Sequence, residues 1–147
     1  MHLSLNRGVL VATDGSTSAA RAEGVAAAIA AGCRCKLVIV TISRGLPDLE
    51  LRRLAHIEGD VGKARHALIR NILEEATERA RRAGATDVTT LSDHGDPAGS
   101  ILAIAEREQV DLVVLGKRGI GTLSQLLIGS VSRSVLDRAK CAVVVVP

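Results

Sequence analysis

Phenylalanine, tyrosine and tryptophan are all absent from this chain of 147 residues. Their absence removes the rings on which proteins usually stack single-stranded DNA and splayed RNA bases. Positive charge does not make up the loss. The formal net charge is +3, and the arginine-rich pieces Arg52-Arg53 and Arg79 to Arg82 are interleaved with glutamates, as on a solvated, salt-bridged helix face. Nucleic acid is therefore not an expected partner. Cysteine is scarce as well: Cys33, Cys35 and Cys141 are an odd number without paired ligand spacing, which argues against a disulfide framework or a zinc site. Cys141 reads as a small core hydrophobe in a strand. No apolar run approaches the roughly 20 residues of a membrane span, and Met1 to Arg7 lacks the charged-then-apolar layout of a secretion signal. The expectation is a soluble cytoplasmic protein with no membrane partner.

What is present is aliphatic, with 47% apolar residues. A chain of this length fits one domain, 1–147, burying roughly 70% of the surface its unfolded form exposes. Apolar runs alternate with helical patterns. Gly8 to Thr13, Cys35 to Ile42, Asp87 to Leu91, Val110 to Leu115 and Cys141 to Val146 are short, rich in Val, Ile and Thr, and mostly without polar alternation. They read as strands buried on both faces of a parallel sheet. Between them, Ser16 to Ala31 is alanine-rich and stops at Gly32, and Lys63 to Ala83 carries Ala64, Leu68, Ile72, Leu73, Ala76 and Ala80 on one stripe and stops at Gly84. Asp96-Pro97 opens a further helix with Ala98, Ile101, Leu102 and Ala105 inward, and a last one runs from about Ser130 to Ala139 with Val131, Val135, Leu136 and Ala139 inward. The order β-α-β-α-β-α-β-α-β gives an α/β fold, an open twisted sheet with helices on both faces. Such sheets bind ligands at the carboxyl ends of their strands, where the winding reverses.

Two of those ends carry unusual residues. The first strand empties into Thr13-Asp14-Gly15-Ser16 and the fourth into Gly116-Lys117-Arg118-Gly119, with Gly129-Ser130 after nine further residues. Glycines between a strand and a helix start present bare backbone amides to a phosphate, and a carboxylate such as Asp14 is placed to meet ligand hydroxyls or a metal. Both features also have a plainer reading. Asp14 could serve as a turn or cap residue, and the glycines as a turn leading to a helix capped by Ser130. Lys117 and Arg118 could supply cations to phosphate or simply face solvent. Neither the Walker nor the Rossmann glycine fingerprint fits: Gly121 is followed by Thr122-Leu123, and the first strand is followed only by Gly15.

Gly116, Gly119, Gly129 and Ser130 do reproduce, without a gap, the motif of glycine, two residues, glycine, nine residues and Gly-Ser/Thr. With Ala12-Thr13-Asp14, Gly95-Asp96-Pro97-Ala98 and Ser130-Val131-Ser132 leading to Cys141 through Pro147, nearly the whole chain resembles the universal stress proteins, specifically their nucleotide-binding, ATP-binding branch. The resemblance implies a five-stranded parallel sheet in the order 3-2-1-4-5, adenine nucleotide alpha hydrolase-like and Rossmann-like, with ATP in the crevice. It places Ala12, Thr13 and Asp14 against the adenosine and the backbone of Ile42 at the adenine edge. Leu115, Gly116, Arg118 and Gly119 would border the ribose and phosphates, and Gly129, Ser130, Val131 and Ser132 would hold the phosphate chain. Magnesium or manganese would accompany the phosphates. The resemblance also implies a homodimer through the last strand, Ala142, Val143, Val144, Val145 and Val146, an apolar edge that pairing would cover. Without aromatics, adenine would be held by aliphatic contacts and backbone hydrogen bonds.

An enzyme is not expected. Phosphoryl transfer needs a positioned nucleophile or water, and no general base stands beside the glycine segment. His94 is the one histidine near the expected mouth; His2, His56 and His66 have no partner pattern. At most, slow ATP hydrolysis or self-phosphorylation on Ser130 or Ser132 is expected. The resulting function is that of an ATP-binding regulatory protein of the stress response. The alternative is a stress adaptor that binds no nucleotide and acts through dimerisation and partner proteins. A phosphate-accepting receiver domain fits less well, since the first strand shows no acidic pair and no Lys-Pro follows the fifth. The segment Ser43 to Gly62 reads as a partial lid or a partner surface with no placed structure.

Overall fold

The three most buried strands take the centre of the sheet in the computed structural model, which describes residues 4–117 and 128–147. The elements in chain order are β1 Val9–Ala12, α1 Thr17–Cys33, β2 Leu37–Ile42, a 3-10 turn Ser43–Gly45, α2 Asp48–Glu58, α3 Val61–Arg82, β3 Val88–Asp93, α4 Pro97–Arg107, β4 Leu112–Gly116, α5 Ser130–Arg138 and β5 Ala142–Val146. All neighbouring strands pair in parallel, in the order β3-β2-β1-β4-β5, as expected.

Successive side chains of a strand point to opposite faces, so one run of aliphatics serves two cores. Val9, Val11, Leu37, Ile39, Leu112 and Val114 face α1 and α3, where Ala22, Ala26, Ala30, Ala76 and Ala80 meet them. Leu10, Val38, Val40, Val113 and Leu115 face Ala98, Ile101, Ile104, Ala105 and Val135 of α4 and α5. With no rings to fill space, alanine stripes let the helices lie close on the sheet, where each fully buried Val, Leu or Ile contributes about 1.5–3 kcal/mol. Helix α1, which follows β1, packs on one face, and α5, the next described element after β4, on the other. The winding therefore reverses between these two neighbours, opening a crevice at their carboxyl ends.

Several local expectations need correction. The third strand was expected to be buried on both faces, yet Thr89, Thr90, Ser92 and Asp93 are exposed. It is an edge strand paired only to β2, and its hydroxyls are at home in water. Helix α1 does not stop at Gly32. It runs to Cys33, and Arg34 takes the left-handed conformation at φ 54°, its amide closing on the Ala30 and Ala31 carbonyls. Leu136 is 44% exposed rather than inward, because α5 is short and buries only Ser132 and Val135. Ser43 to Gly62, left without structure, holds the 3-10 turn and α2, which packs on α3 while Leu49 and Ile57 stay exposed. The start of α3 also moves forward to Val61, where the Asp60 carboxylate accepts from the Lys63 amide at 2.9 Å.

The stop at Gly84 stands: its φ of +101° closes α3, with the Ala85 amide donating to the Ala80 carbonyl. The three cysteines are free; Cys141 sits half-buried just before β5 rather than within it. No helix among the described residues is long and apolar enough to cross a membrane.

Candidate functional site

The turn from β1 into α1 is held from every side. The Thr13 amide donates to the Val40 carbonyl at 2.9 Å, and its own carbonyl accepts from Thr41 Oγ1 at 3.0 Å. Its hydroxyl donates to Glu23 Oε1 at 2.5 Å and accepts from the Gly15 amide at 3.2 Å. Asp14 Oδ1 accepts from the Ser16 amide at 2.9 Å, and Ser16 Oγ caps α1 by accepting from the Ala19 amide at 3.1 Å. Gly15 needs to be glycine, since its φ is +81° and a Cβ there would stand 3.2 Å from Ile72 of α3.

Across the crevice, the end of β4 and the start of α5 are fastened to each other, chiefly through backbone. The Lys117 amide donates to the Val146 carbonyl at 2.6 Å, the Gly129 amide to the Lys117 carbonyl at 2.7 Å, and Ser132 Oγ to the Gly116 carbonyl at 2.7 Å. Helix α5 then begins on Gly129, which has no side chain to cap it. The first intrahelical bond runs from the Arg133 amide to the Gly129 carbonyl, so the amides of Ser130, Val131 and Ser132 precede the ladder. By contrast, Ser16 caps α1 and Asp96 caps α4. Of the three α-helices among the described residues that start at the crevice, only α5 has no side-chain cap on its first turn, with its positive dipole end.

These turns enclose a crevice of about 180 Å³. Ten of the twelve residues expected at the site line it: Ala12 at the end of β1 with Thr13 and Asp14 of the turn after it, Ile42 from β2, Leu115 and Gly116 from β4, and Gly129, Ser130, Val131 and Ser132 at the start of α5. Arg118 and Gly119 lie outside the described residues. The sequence reading did not assign Ser16, Ala19, Gly45, Pro97 and Ile101 to the wall. Their signal was indirect. Pro97 was visible as a helix opener and Ile101 as a core residue, but only the fold brings both beside Ile42. Ile42, Pro97 and Ile101 make an aliphatic wall, while the turn after β1 and the start of α5 bring hydroxyls, amides and the Asp14 carboxylate.

Gly116 also has a second reason to be glycine. A Cβ there would stand 2.5 Å from Ser18 Oγ and 2.9 Å from the Ser18 carbonyl carbon, so β4 touches the first turn of α1 directly. His94 does not line the crevice; its Nδ1 pairs with Ser43 Oγ, joining the turn after β2 to the turn after β3. Asp93 beside it is held below the usual carboxylate range, first by the His94 backbone amide and then by the Ser100 hydroxyl. Among the described residues no group of three or more His, Cys, Asp or Glu is arranged to hold a metal ion.

A feature the sequence reading missed lies behind the crevice. Glu23, 1% exposed, accepts from Thr13 and from Arg79 Nε of α3 at 2.8 Å. The hydrogen bond to Glu23, more than the opposing desolvation, pushes the Arg79 guanidinium further up from its already high value. A lone glutamate on an alanine stripe was the available sign.

Comparison with known proteins places these features among relatives. The model of the Universal stress protein family matches residues 6–147. Universal stress protein Rv1636 of Mycobacterium tuberculosis is 40% identical over 146 residues, covering 98% of each chain. A universal stress protein solved in complex with cAMP shares 34% identity and a TM-score of 0.73, covering 97% of this chain and 98% of that one. The universal stress protein from Archaeoglobus fulgidus in complex with dAMP reaches a TM-score of 0.71 over 97% of this chain and 99% of its own, at 19% identity, a likeness of fold.

Proposed function

Because the chain belongs to the universal stress protein family, we propose that it binds ATP in the crevice between the ends of β1 and β4 and acts as a nucleotide-responsive regulatory protein of the stress response. The observation that carries this reading is the uncapped start of α5, whose free amides border the same crevice as Asp14 and Ile42. A relative at 34% identity that was solved with cAMP supports an adenine nucleotide as the ligand class. In this reading the aliphatic wall of Ile42, Pro97 and Ile101 takes the base, with the backbone of Ile42 at its edge. Asp14 meets the ribose, and the amides of Ser130, Val131 and Ser132 with the Ser130 hydroxyl take the phosphates.

Two roles narrow. The Thr13 hydroxyl gives its one proton to Glu23, so Thr13 would touch adenosine through its backbone. Ser132 is buried with its hydroxyl spent on Gly116, which leaves exposed Ser130 as the residue for any slow self-phosphorylation. Arg118 and Gly119 enter on the motif alone. A magnesium or manganese ion would be held chiefly by the phosphates and water, with Asp14 the carboxylate that lines the crevice. Strand β5 ends the sheet with Val143 to Val146 only half-buried, which suits a homodimer formed by pairing that edge in the cytoplasm.

Titration calorimetry with ATP and magnesium, with adenosine, and with inorganic triphosphate tests the assignment. Binding of ATP tighter than adenosine is expected, since the amides at the start of α5 then contribute as well. No heat from any of the three, from a chain that still sediments as a dimer, would overturn it in favour of a nucleotide-free adaptor.

A further inference from the structure

Glu23 is the only charged residue among the fully buried side chains of the described residues. A carboxylate removed from water is tolerated only when its oxygens are matched by donors. Here one oxygen accepts from Arg79 Nε at 2.8 Å and the other from Thr13 Oγ1 at 2.5 Å. The other buried residues of α1, Ala19, Ala22, Ala26, Ala27 and Ala30, are all alanine, so an aliphatic residue would have continued that face at lower desolvation cost. What the ion pair adds is direction. A carboxylate only accepts, so the Thr13 hydroxyl must aim its single proton at Glu23 and can then only accept from the Gly15 amide. Gly15 at the same time lies where a Cβ would stand 3.2 Å from Ile72, which like Arg79 belongs to α3. The two residues flanking Asp14 are thus fixed from α1 and α3.

We propose that Glu23 is a positioning residue: the chain Arg79–Glu23–Thr13–Gly15 sets the backbone of the Asp14 turn from helix α3, and so tunes how tightly the crevice holds the nucleoside end of its ligand. The geometric part stands on the hydrogen bonds alone, and the consequence for affinity rests on the nucleotide reading above. The relay reaches the β1 side of the crevice and not the start of α5. Breaking it weakens adenosine and ATP by the same factor, because the phosphate contacts are left intact.

The test uses Arg79→Gln in the full chain, since Arg79 lines no part of the crevice. Two readouts are taken well below the thermal midpoint: the amide resonances of Asp14, Gly15 and Ser16 by nuclear magnetic resonance, and the Kd of adenosine and ATP by calorimetry. The expected result is a displaced Gly15 amide resonance and a common loss of about fivefold for both ligands, within the range of couplings between residues of one hydrogen-bond network. An unmoved Gly15 resonance with unchanged Kd values, the midpoint alone falling, would reduce the pair to a structural one and overturn the proposal. So would a loss confined to ATP. If the parent protein binds neither ligand, the nucleotide reading fails, and the Gly15 resonance still decides whether the relay positions the turn. Should Arg79→Gln not fold, Thr13→Val breaks the last link with little change of volume and is read the same way.

Discussion

Replacing Gly116 by alanine separates two reasons for a bare residue at the crevice floor. Were the glycine there only to admit ligand, one methyl group would cost the ligand-free protein nothing. The structure instead places a Cβ at 2.5 Å from Ser18 Oγ, 2.9 Å from Ser18 C and 3.0 Å from Ser18 O. The hydroxyl could rotate, but the two backbone atoms belong to the first turn of α1, which is held by the Ser16 cap. Accommodating the methyl therefore means moving a helix off the sheet. Overpacking of this kind costs about 1–3 kcal/mol. Gly116 is not among the glycines with positive φ, so alanine also recovers about 0.4–1 kcal/mol by restricting the unfolded chain. The steric term wins, leaving a net loss of about 1–2 kcal/mol, or about 2–4 °C in Tm for each kcal/mol. Urea unfolding followed by far-ultraviolet circular dichroism suits a chain without fluorescent rings. A ligand-free Gly116→Ala protein as stable as the parent, within about 0.5 kcal/mol, would refute the packing argument and leave the ligand as the sole reason for the glycine.

Other substitutions give outcomes of differing sign. Ser130→Glu puts a carboxylate on the first turn of α5, which should stabilise the ligand-free protein by about 0.3–1 kcal/mol while weakening ATP about tenfold or more by charge repulsion; calorimetry and thermal melts read the two effects separately. Gly24→Ala lies in the middle of α1 with open space around it, so stability should rise by about 0.5–1 kcal/mol in the same urea assay. Asp93 is held below the usual carboxylate range by the His94 amide and the Ser100 hydroxyl. Its contribution should be complete above that range and disappear as the pH falls through the lowered value; Asp93→Asn should flatten that part of the acid limb of a stability-pH profile. Burial pushes the Cys35 and Cys141 thiols up, so both should alkylate slowly at neutral pH and faster only as the solution becomes alkaline.

The strands and the glycine motif were legible because both rest on short-range signals, whereas the strand order and the residue list of the crevice came with the family resemblance. Runs such as Leu37–Ile42 declare a buried strand by composition, and Asp96-Pro97 declares a helix start by cap chemistry. The rest depended on contacts between distant residues. Composition could not separate an edge strand from an interior one when Val88, Thr89 and Thr90 suit either place. Helix α2 has no fully buried residue and therefore left no strong stripe, its apolar positions being split between α3 and solvent. Arg34 took a left-handed position that glycine fills more cheaply, because the helix runs past Gly32 to Cys33 before it ends. Glu23 and Arg79 lie 56 positions apart, and nothing in the local pattern of either announces the other.

The most direct measurement of the central claim uses the missing rings. A chain without Phe, Tyr or Trp is nearly transparent in the near ultraviolet, so bound purine shows against almost no background. The protein is washed in high salt, its spectrum recorded, then loaded with ATP and magnesium, desalted and recorded again. The account predicts a purine band that stays with the protein and that chromatography of an acid extract resolves as adenine nucleotide. A spectrum flat before and after loading, together with no heat on titration, would contradict it.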